Sequence, residues 1–254
     1  MIDTHTHLYD EQFNDDRNDM IQRAIQSGVE KMYLPNCDSG TVAGMLDVEQ
    51  DFPDHCFAMM GLHPCYVNDR VEDELRIVRE WLDKRTFCAV GEIGLDYYWD
   101  KTFAEAQQKA FRTQIEWALE FDIPIVIHTR EATKDTIDIV KEYAPKGIRG
   151  VFHCFSGSFE SAMQIIGMGF YLGIGGVLTY KNAGLQEVVQ KIDLQHLILE
   201  TDAPYLTPAP HRGKRNESSY VNLVAQKLAE LKSVALAEVE RITTENALKL
   251  FQHI

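Results

Sequence analysis

The chain begins MIDTHTHLYD, placing Asp3, His5 and His7 on alternate positions. Alternate residues of a β-strand project from one face, so a strand here would align a carboxyl and two imidazoles. Such groups ligate divalent metals, although a solvent-facing strand also alternates polar and apolar residues. Residues of the same chemical kind end later apolar runs: His63 in GLHP, Glu92 in VGEIGLD, His128 in VIHTR and His153 in VFHCF, with Glu200 and Asp202 in LETDAP. A charged or imidazole group in an apolar wall is costly without a partner. One such histidine is readily a satisfied core residue; a converging set points to a metal site.

The elements that must position these groups recur along the chain. Eight apolar, often β-branched runs occupy residues 2–7, 31–37, 56–64, 88–96, 124–129, 150–155, 170–176 and 197–202. Between them lie stretches with helical spacing of apolar residues. DRNDMIQRAIQSG stops at Gly28, EDELRIVREWLDKR is amphipathic, and AEAQQKAFRTQIEWALEF is the longest. After the last run, SSYVNLVAQKLAELK and LAEVERITTENALKLF predict two more helices. Short strands alternating with helices imply a parallel sheet covered on both faces. In 254 residues, an α/β (β/α)8 TIM barrel is the economical closure. A doubly wound open sheet is disfavoured because no GxGxxG loop follows the first run. No low-complexity stretch or linker divides the chain, so residues 1–254 read as a single hydrolase domain. In such barrels the active site lies at the C-terminal ends of the strands, where the polar residues fall.

Composition bounds the function. Hydrophobic residues make up 45% and charged residues 25%, as in a soluble globular protein. The five cysteines form no CxxC pair, which fits reduced thiols; Cys56, Cys88 and Cys154 sit in apolar runs and are expected in the core. Neither a leader nor a membrane-length apolar stretch is present, so the expected compartment is the cytoplasm, with no membrane partner. Net charge is −14, from 25 basic against 39 acidic residues. That opposes tight non-specific binding along duplex nucleic acid, but not a strand held at one site. No obligate protein partner is evident.

The ligand set of imidazole and carboxylate without thiolate suits Zn²⁺, Mn²⁺, Fe²⁺ or Co²⁺, with Mg²⁺ where oxygen ligands dominate. Six ligands exceed the need of one tetrahedral ion. Two divalent ions roughly 3.5–4 Å apart and sharing a carboxylate would use them all. Glu92 is the expected bridge: His5, His7, Glu92 and Asp202 would hold one ion, and Glu92, His128 and His153 the other. Water between two such ions becomes hydroxide near neutral pH, and Asp202 would orient it and take its proton. The expected chemistry is metal-assisted hydrolysis.

Taken together, THTHL, GLHP, VGEIGLDYY, IHTREA, FHCFSGS, LETDAPYLTP and RGKRNE resemble the TatD family of metal-dependent deoxyribonucleases, within the amidohydrolase superfamily of TIM barrels. The resemblance runs from Ile2 to the ENALKLF segment. It implies hydrolysis of DNA phosphodiester bonds, as a 3′-to-5′ exonuclease on single-stranded or frayed ends. It also implies metal ligands at His5, His7, Glu92, His128, His153 and Asp202, and puts His63 near the scissile phosphate. Ser218 departs from the family, which often has Pro after RNE; as a helix N-cap, Ser would cost little.

Several residues are expected to face the substrate. HRGKR at 211–215 is the densest basic patch, and Arg212, Lys214 and Arg215 could counter phosphates; otherwise it is a solvated loop. Arg130 could contact phosphate or form an ion pair. Tyr97, Tyr98 and Trp99 in LDYYW could stack on unpaired bases or form an ordinary packed loop, and Tyr205 could stack on a base or help position the phosphate. Glu200 would hydrogen-bond a ligand histidine rather than bind metal. His55, His196 and His253 read as surface residues. Two rival functions stay open. One is hydrolysis of a small amide, lactone or phosphoester on the same barrel. The other is a metal-holding barrel that binds without catalysis.

Overall fold

The eight apolar runs form parallel strands: β1 (Ile2–Asp3), β2 (Lys31–Leu34), β3 (Cys56–Ala58), β4 (Val90–Asp96), β5 (Ile125–Arg130), β6 (Gly150–Phe152), β7 (Tyr171–Ile174) and β8 (Leu197–Leu199). The intervening amphipathic stretches are helices: α1 (Arg17–Gln26), α2 (Val42–Asp51), α3 (Val71–Lys84), α4 (Ala104–Glu120), α5 (Thr133–Tyr143), α6 (Phe159–Gly167), α7 (Leu185–Gln190), α8 (Val221–Lys232) and α9 (Leu236–Leu250). This computed structural model describes residues 1–252, so His253 lies outside the described residues. Helix α1 ends where Gly28 takes a left-handed φ of 94°, as the sequence predicts.

Strands β1–β2–β3 form one sheet and β4 through β8 a second. Two narrow seams join them into a barrel. Between β3 and β4, Met60 bridges Val90, and the Met60 and Gly91 amides donate to the Ala89 and Met60 carbonyls. Between β8 and β1, Thr6 bridges Ala203, while His7 donates to the Ala203 carbonyl and Asp202 to that of His5.

Strand alternation builds two cores. On β5, Ile125 and Ile127 belong to the layer under the helices, whereas Val126 joins Val151, Ile198 and Tyr33 in a separate inner cluster. Ala247, Leu250 and Phe251, from the end of α9 and just beyond, plug that interior, with Phe251 stacked 4.3 Å from Tyr33. Two residues beyond the inward Val126, Val151 and Ile198 come His128, His153 and Glu200. The period of two therefore aims them at the same axis. The polar site is the C-terminal lid of the inner core.

Three local expectations are corrected. Regular pairing of β1 stops at Asp3, so His5 and His7 flank the Thr6 bridge rather than extend a strand. Asp3 does not share their site: its carboxylate accepts from the Thr201 amide (2.9 Å), the Thr201 hydroxyl (2.6 Å) and the His5 amide (3.4 Å). Burial pushes the Asp3 carboxyl up to about 7 despite those bonds. Ser218 opens a short 3₁₀ turn instead of capping a helix, and its hydroxyl donates to Thr6 Oγ1 at 3.2 Å.

Asp3 thus latches β1 to the segment after β8. Asp3→Ala strands the buried Thr201 and His5 donors, and a loss of about 3 kcal/mol is expected from urea unfolding. Thr201→Ala in the same background should add only about 1 kcal/mol, for the Ala203 amide that the Thr201 hydroxyl accepts at 3.2 Å, since the interaction shared with Asp3 is already gone.

Candidate metal centre

Glu92 stands in β4, buried, with its two carboxylate oxygens facing two sets of imidazoles. Oε2 lies 3.1 Å from His5 Nε2 and 3.8 Å from His7 Nε2. Oε1 lies 2.7 Å from His153 Nε2, 2.8 Å from His128 Nδ1 and 3.4 Å from His63 Nε2. Asp202 closes the first set, with Oδ1 3.5 Å from His7 Nε2 and 3.8 Å from His5 Nε2. Ligand-capable atoms fall within 4.8 Å of one another in three overlapping groups: His5, His7 and Glu92; His63, Glu92 and His128; His5, His153 and Asp202. His153 therefore also belongs with the His5 side, its ring stacked 3.8 Å from that of His5. Asp202 and Cys154 hold left-handed φ of 58° and 47°, and such backbone persists only where its surroundings over-determine it.

The outer ring nitrogens of the histidines show what the inner ones offer. Tyr9 donates its only hydroxyl proton to the Pro35 carbonyl (2.5 Å), so at 2.9 Å it accepts from His7 Nδ1. In the neutral ring, that leaves the His7 Nε2 lone pair facing Glu92 and Asp202. His128 Nε2 lies 2.9 Å from Asp96 Oδ2, which fixes its proton there and frees Nδ1 toward Glu92. His153 Nε2 faces Glu92 at 2.7 Å, while its Nδ1 stands 3.6 Å from Glu200 Oε1, beyond hydrogen-bond reach. His63 is the opposite case: its Nδ1 accepts from the Cys65 amide (3.0 Å), so its neutral ring carries the proton on Nε2, toward the centre. His5 Nδ1 and Nε2, His153 Nδ1 and Glu200 Oε2 are buried without a hydrogen-bond partner. Inward lone pairs, two carboxylates and partnerless buried nitrogens fit divalent cations.

The electrostatics follow from this packing. Burial pushes the Glu92 carboxyl upward, but His153, His63, His5 and the His128 bond outweigh it and hold Glu92 well below the usual carboxylate range. Asp202 is likewise lowered, burial being overcome by His7, His153 and His5. Burial lowers His5 and His63. His7 and His153 rise well above their ordinary value despite burial, through Cys37 and Asp202 for the first and Glu92 and Glu200 for the second.

Asp96 is the residue that sequence reasoning missed. It is buried at the end of β4, and one of its oxygens holds His128 while the other accepts the Tyr98 amide at 2.9 Å. Burial is outweighed by the His128 and Tyr98 bonds, drawing its carboxyl down to about 2. An Asp ending an apolar run was visible in VGEIGLD, but it also reads as an ordinary strand stop. Asp96→Ala is expected to weaken divalent-metal affinity about 10–100-fold by equilibrium dialysis, because His128 loses its orienting partner. Gly173 on β7 was also passed over: a Cβ there would sit 2.3 Å from Glu200 Oε2. Glu200 occupies that space, and its Oε1 accepts the Cys154 amide at 2.6 Å.

The outer residues divide. Arg130, the last residue of β5, lays its guanidinium over the Tyr98 ring at 3.7 Å and near Trp99 at 5.3 Å. Tyr205 stands 6.0 Å from the His7 ring, half-exposed, and donates to Asp10 Oδ2 (3.0 Å). Arg212 lies over Tyr180 (4.1 Å) and lines a cleft of about 540 Å³ with residues 179–183. Lys214 is exposed on the same loop. Arg215 corrects the expectation: both guanidinium nitrogens bind Asp16 at 2.7 Å and one also donates to the Gln12 carbonyl, so its charge is committed inside the fold. Tyr97 is likewise withdrawn from stacking, bonded to Asp135 (3.3 Å) and Gln108 (2.8 Å) and packed against the core. Cys56 and Cys88 are core residues as expected, and Cys154, beside His153, is mostly buried at the edge of the core. His55 bonds the Glu30 carbonyl and His196 sits before β8; both are half-exposed and away from the centre.

Residues 2–252 match the family described as TatD related DNase. The chain is 42% identical to the Bacillus subtilis (strain 168) protein YabD, described as an uncharacterized metal-dependent hydrolase, over 99% of each chain. It is 31% identical to the Erwinia tasmaniensis protein named 3′-5′ ssDNA/RNA exonuclease TatD, again over 99% of each. The crystal structure of YJJV, a TatD homologue from Escherichia coli K12, superposes with a TM-score of 0.93 at 30% identity, over 100% of this chain and 98% of that one. No helix among the described residues is long and apolar enough to cross a membrane. A parallel barrel whose rim gathers imidazoles and carboxylates, matched along its length by these proteins, places the chain in the TatD related DNase family of metal-dependent hydrolases.

Proposed function

We propose that the chain hydrolyses DNA phosphodiester bonds as a 3′-to-5′ exonuclease acting on single-stranded or frayed ends, with residues 1–254 as one catalytic domain. The observation that carries the reading is Glu92, whose two oxygens face separate imidazole sets. His5, His7, Glu92 and Asp202 would hold one divalent ion and Glu92, His128 and His153 a second, Mg²⁺, Mn²⁺ and Zn²⁺ being the candidates. Divalent ions held there supply Lewis acidity toward a phosphoryl oxygen and lower the pKa of water.

The chain's own residues do the rest. Asp202, ionised and at the edge of the centre, accepts the proton of the water that attacks phosphorus. His63 differs from its neighbours because its inward nitrogen carries hydrogen, so it donates to a phosphate oxygen instead of ligating. Asp96 orients His128 through a hydrogen bond, and Glu200 faces the outer edge of the His153 ring at 3.6 Å. Arg130, Arg212 and Lys214 supply local positive charge to flanking phosphates, and Tyr205 lines the approach beside His7. A protein of net charge −14 with such local charge suits a strand held at few phosphates. Two relatives named as 3′-5′ ssDNA/RNA exonucleases support the substrate class.

The test is metal-stripped protein incubated with 5′-labelled single-stranded DNA and each ion in turn, with products separated by length. A ladder shortening from the 3′ end supports the reading. No cleavage with any ion, despite bound metal, would point to a small amide, lactone or phosphoester as substrate.

A further inference from the structure

The large aromatic side chains left exposed among the described residues are Tyr66, Tyr98, Trp99 and Tyr205, at 41%, 52%, 72% and 49%. All four lie in loops leaving the C-terminal ends of β3, β4 and β8, on the rim that carries the metal-capable groups. Exposed aromatic surface gathered on one rim marks a binding face, since scattered exposure would place it on the outer helices as well. Tyr98 and Trp99 form the largest part of it, edge to face at 4.8 Å between ring centroids.

Arg130 supplies the second feature. Among the described residues it has no carboxylate within ion-pair distance, whereas Arg79, Arg112 and Arg215 are each held by one. Its guanidinium lies on the Tyr98 ring instead, leaving edge N–H groups free for an anion. A third feature ties this cluster to the centre. The Asp96 carboxylate holds His128 with one oxygen and the Tyr98 amide with the other, and the Tyr97 amide donates to the Arg130 carbonyl at 2.9 Å. The aromatic pair is thereby fixed two residues from the side chain that orients a metal-capable histidine.

We infer that Tyr98, Trp99 and Arg130 form a stacking platform for an unpaired nucleobase, with Arg130 contacting the phosphate beside that base while the scissile phosphate sits at the metal centre. The inference rests on the nuclease reading and deepens it by naming what selects single strands. A paired base is already stacked within its duplex and cannot lie on the platform, whereas every unpaired base has a face to offer.

The experiment compares two substrates: a single-stranded oligodeoxynucleotide, and the same strand with its 3′-terminal residues replaced by base-free deoxyribose. Parent enzyme is expected to favour the base-bearing strand about tenfold in kcat/KM, a typical stacking contribution. Trp99→Ala combined with Tyr98→Ala should abolish that preference, so that both strands are cut with the same kcat/KM. Trp99→Phe, which keeps a ring, should restore most of it. A parent without base preference, or a double variant that keeps it, overturns the platform even though the nuclease reading stands. If no strand is cut with any ion, quenching of tryptophan fluorescence in metal-free protein decides. Base-dependent quenching that is lost in Trp99→Phe supports the platform while the nuclease reading falls. Equal quenching by both strands, or none, overturns it.

Discussion

Glu92→Gln protein is expected to lose at least about 10³-fold in turnover, with bound divalent metal falling in parallel. The amide keeps one acceptor oxygen and turns its other end into an N–H₂ donor. Whichever way it sits, one of the two imidazole sets then faces a donor where Glu92 offered an acceptor. The substitution also removes the negative charge that His5, His63 and His153 share. Metal content after equilibrium dialysis and kcat on the cleaved substrate are the two measurements. Retention of both within about tenfold of parent would show that Glu92 is only a packed carboxylate, and the centre would need a different bridge.

Asp202→Asn separates binding from chemistry. Asparagine keeps the size and one oxygen at the edge of the His5–His7 group but cannot take a proton. Turnover should fall about 10³-fold while divalent-metal affinity stays within about tenfold of parent. The backbone should tolerate the change, since asparagine accepts the left-handed φ of 58° found here better than most residues. Affinity and turnover dropping together would make Asp202 simply a ligand and leave the proton acceptor to be found elsewhere.

Much of this was legible in the chain because strand and helix periods are local. The apolar runs became strands, and the polar residues ending them gathered at one rim because the period of two projects His128, His153 and Glu200 onto the axis lined by Val126, Val151 and Ile198. What escaped depended on partners distant in sequence. Arg215 looked free within HRGKR, but Asp16, which holds it, lies 199 residues upstream. Asp96 looked like a strand end until β5 brought His128 against it. Gly173 carries no side chain to read, and its importance lies in the volume that Glu200 occupies. The donor chemistry of each histidine was also hidden, because the proton on one ring nitrogen is set by what the other nitrogen touches.

The two seams give the charged cluster a second meaning. His5, His7 and His63 emerge from the three-stranded sheet, whereas Glu92, His128, His153 and Asp202 emerge from the five-stranded one. The residues proposed for hydrolysis therefore also span the two seams that join the sheets. Divalent cations held between them, as the proposed function requires, would act as a clasp: each tenfold excess of free ion over its Kd would add about 1.4 kcal/mol against opening. On that proposal, the shut barrel and the armed catalyst would be one and the same state.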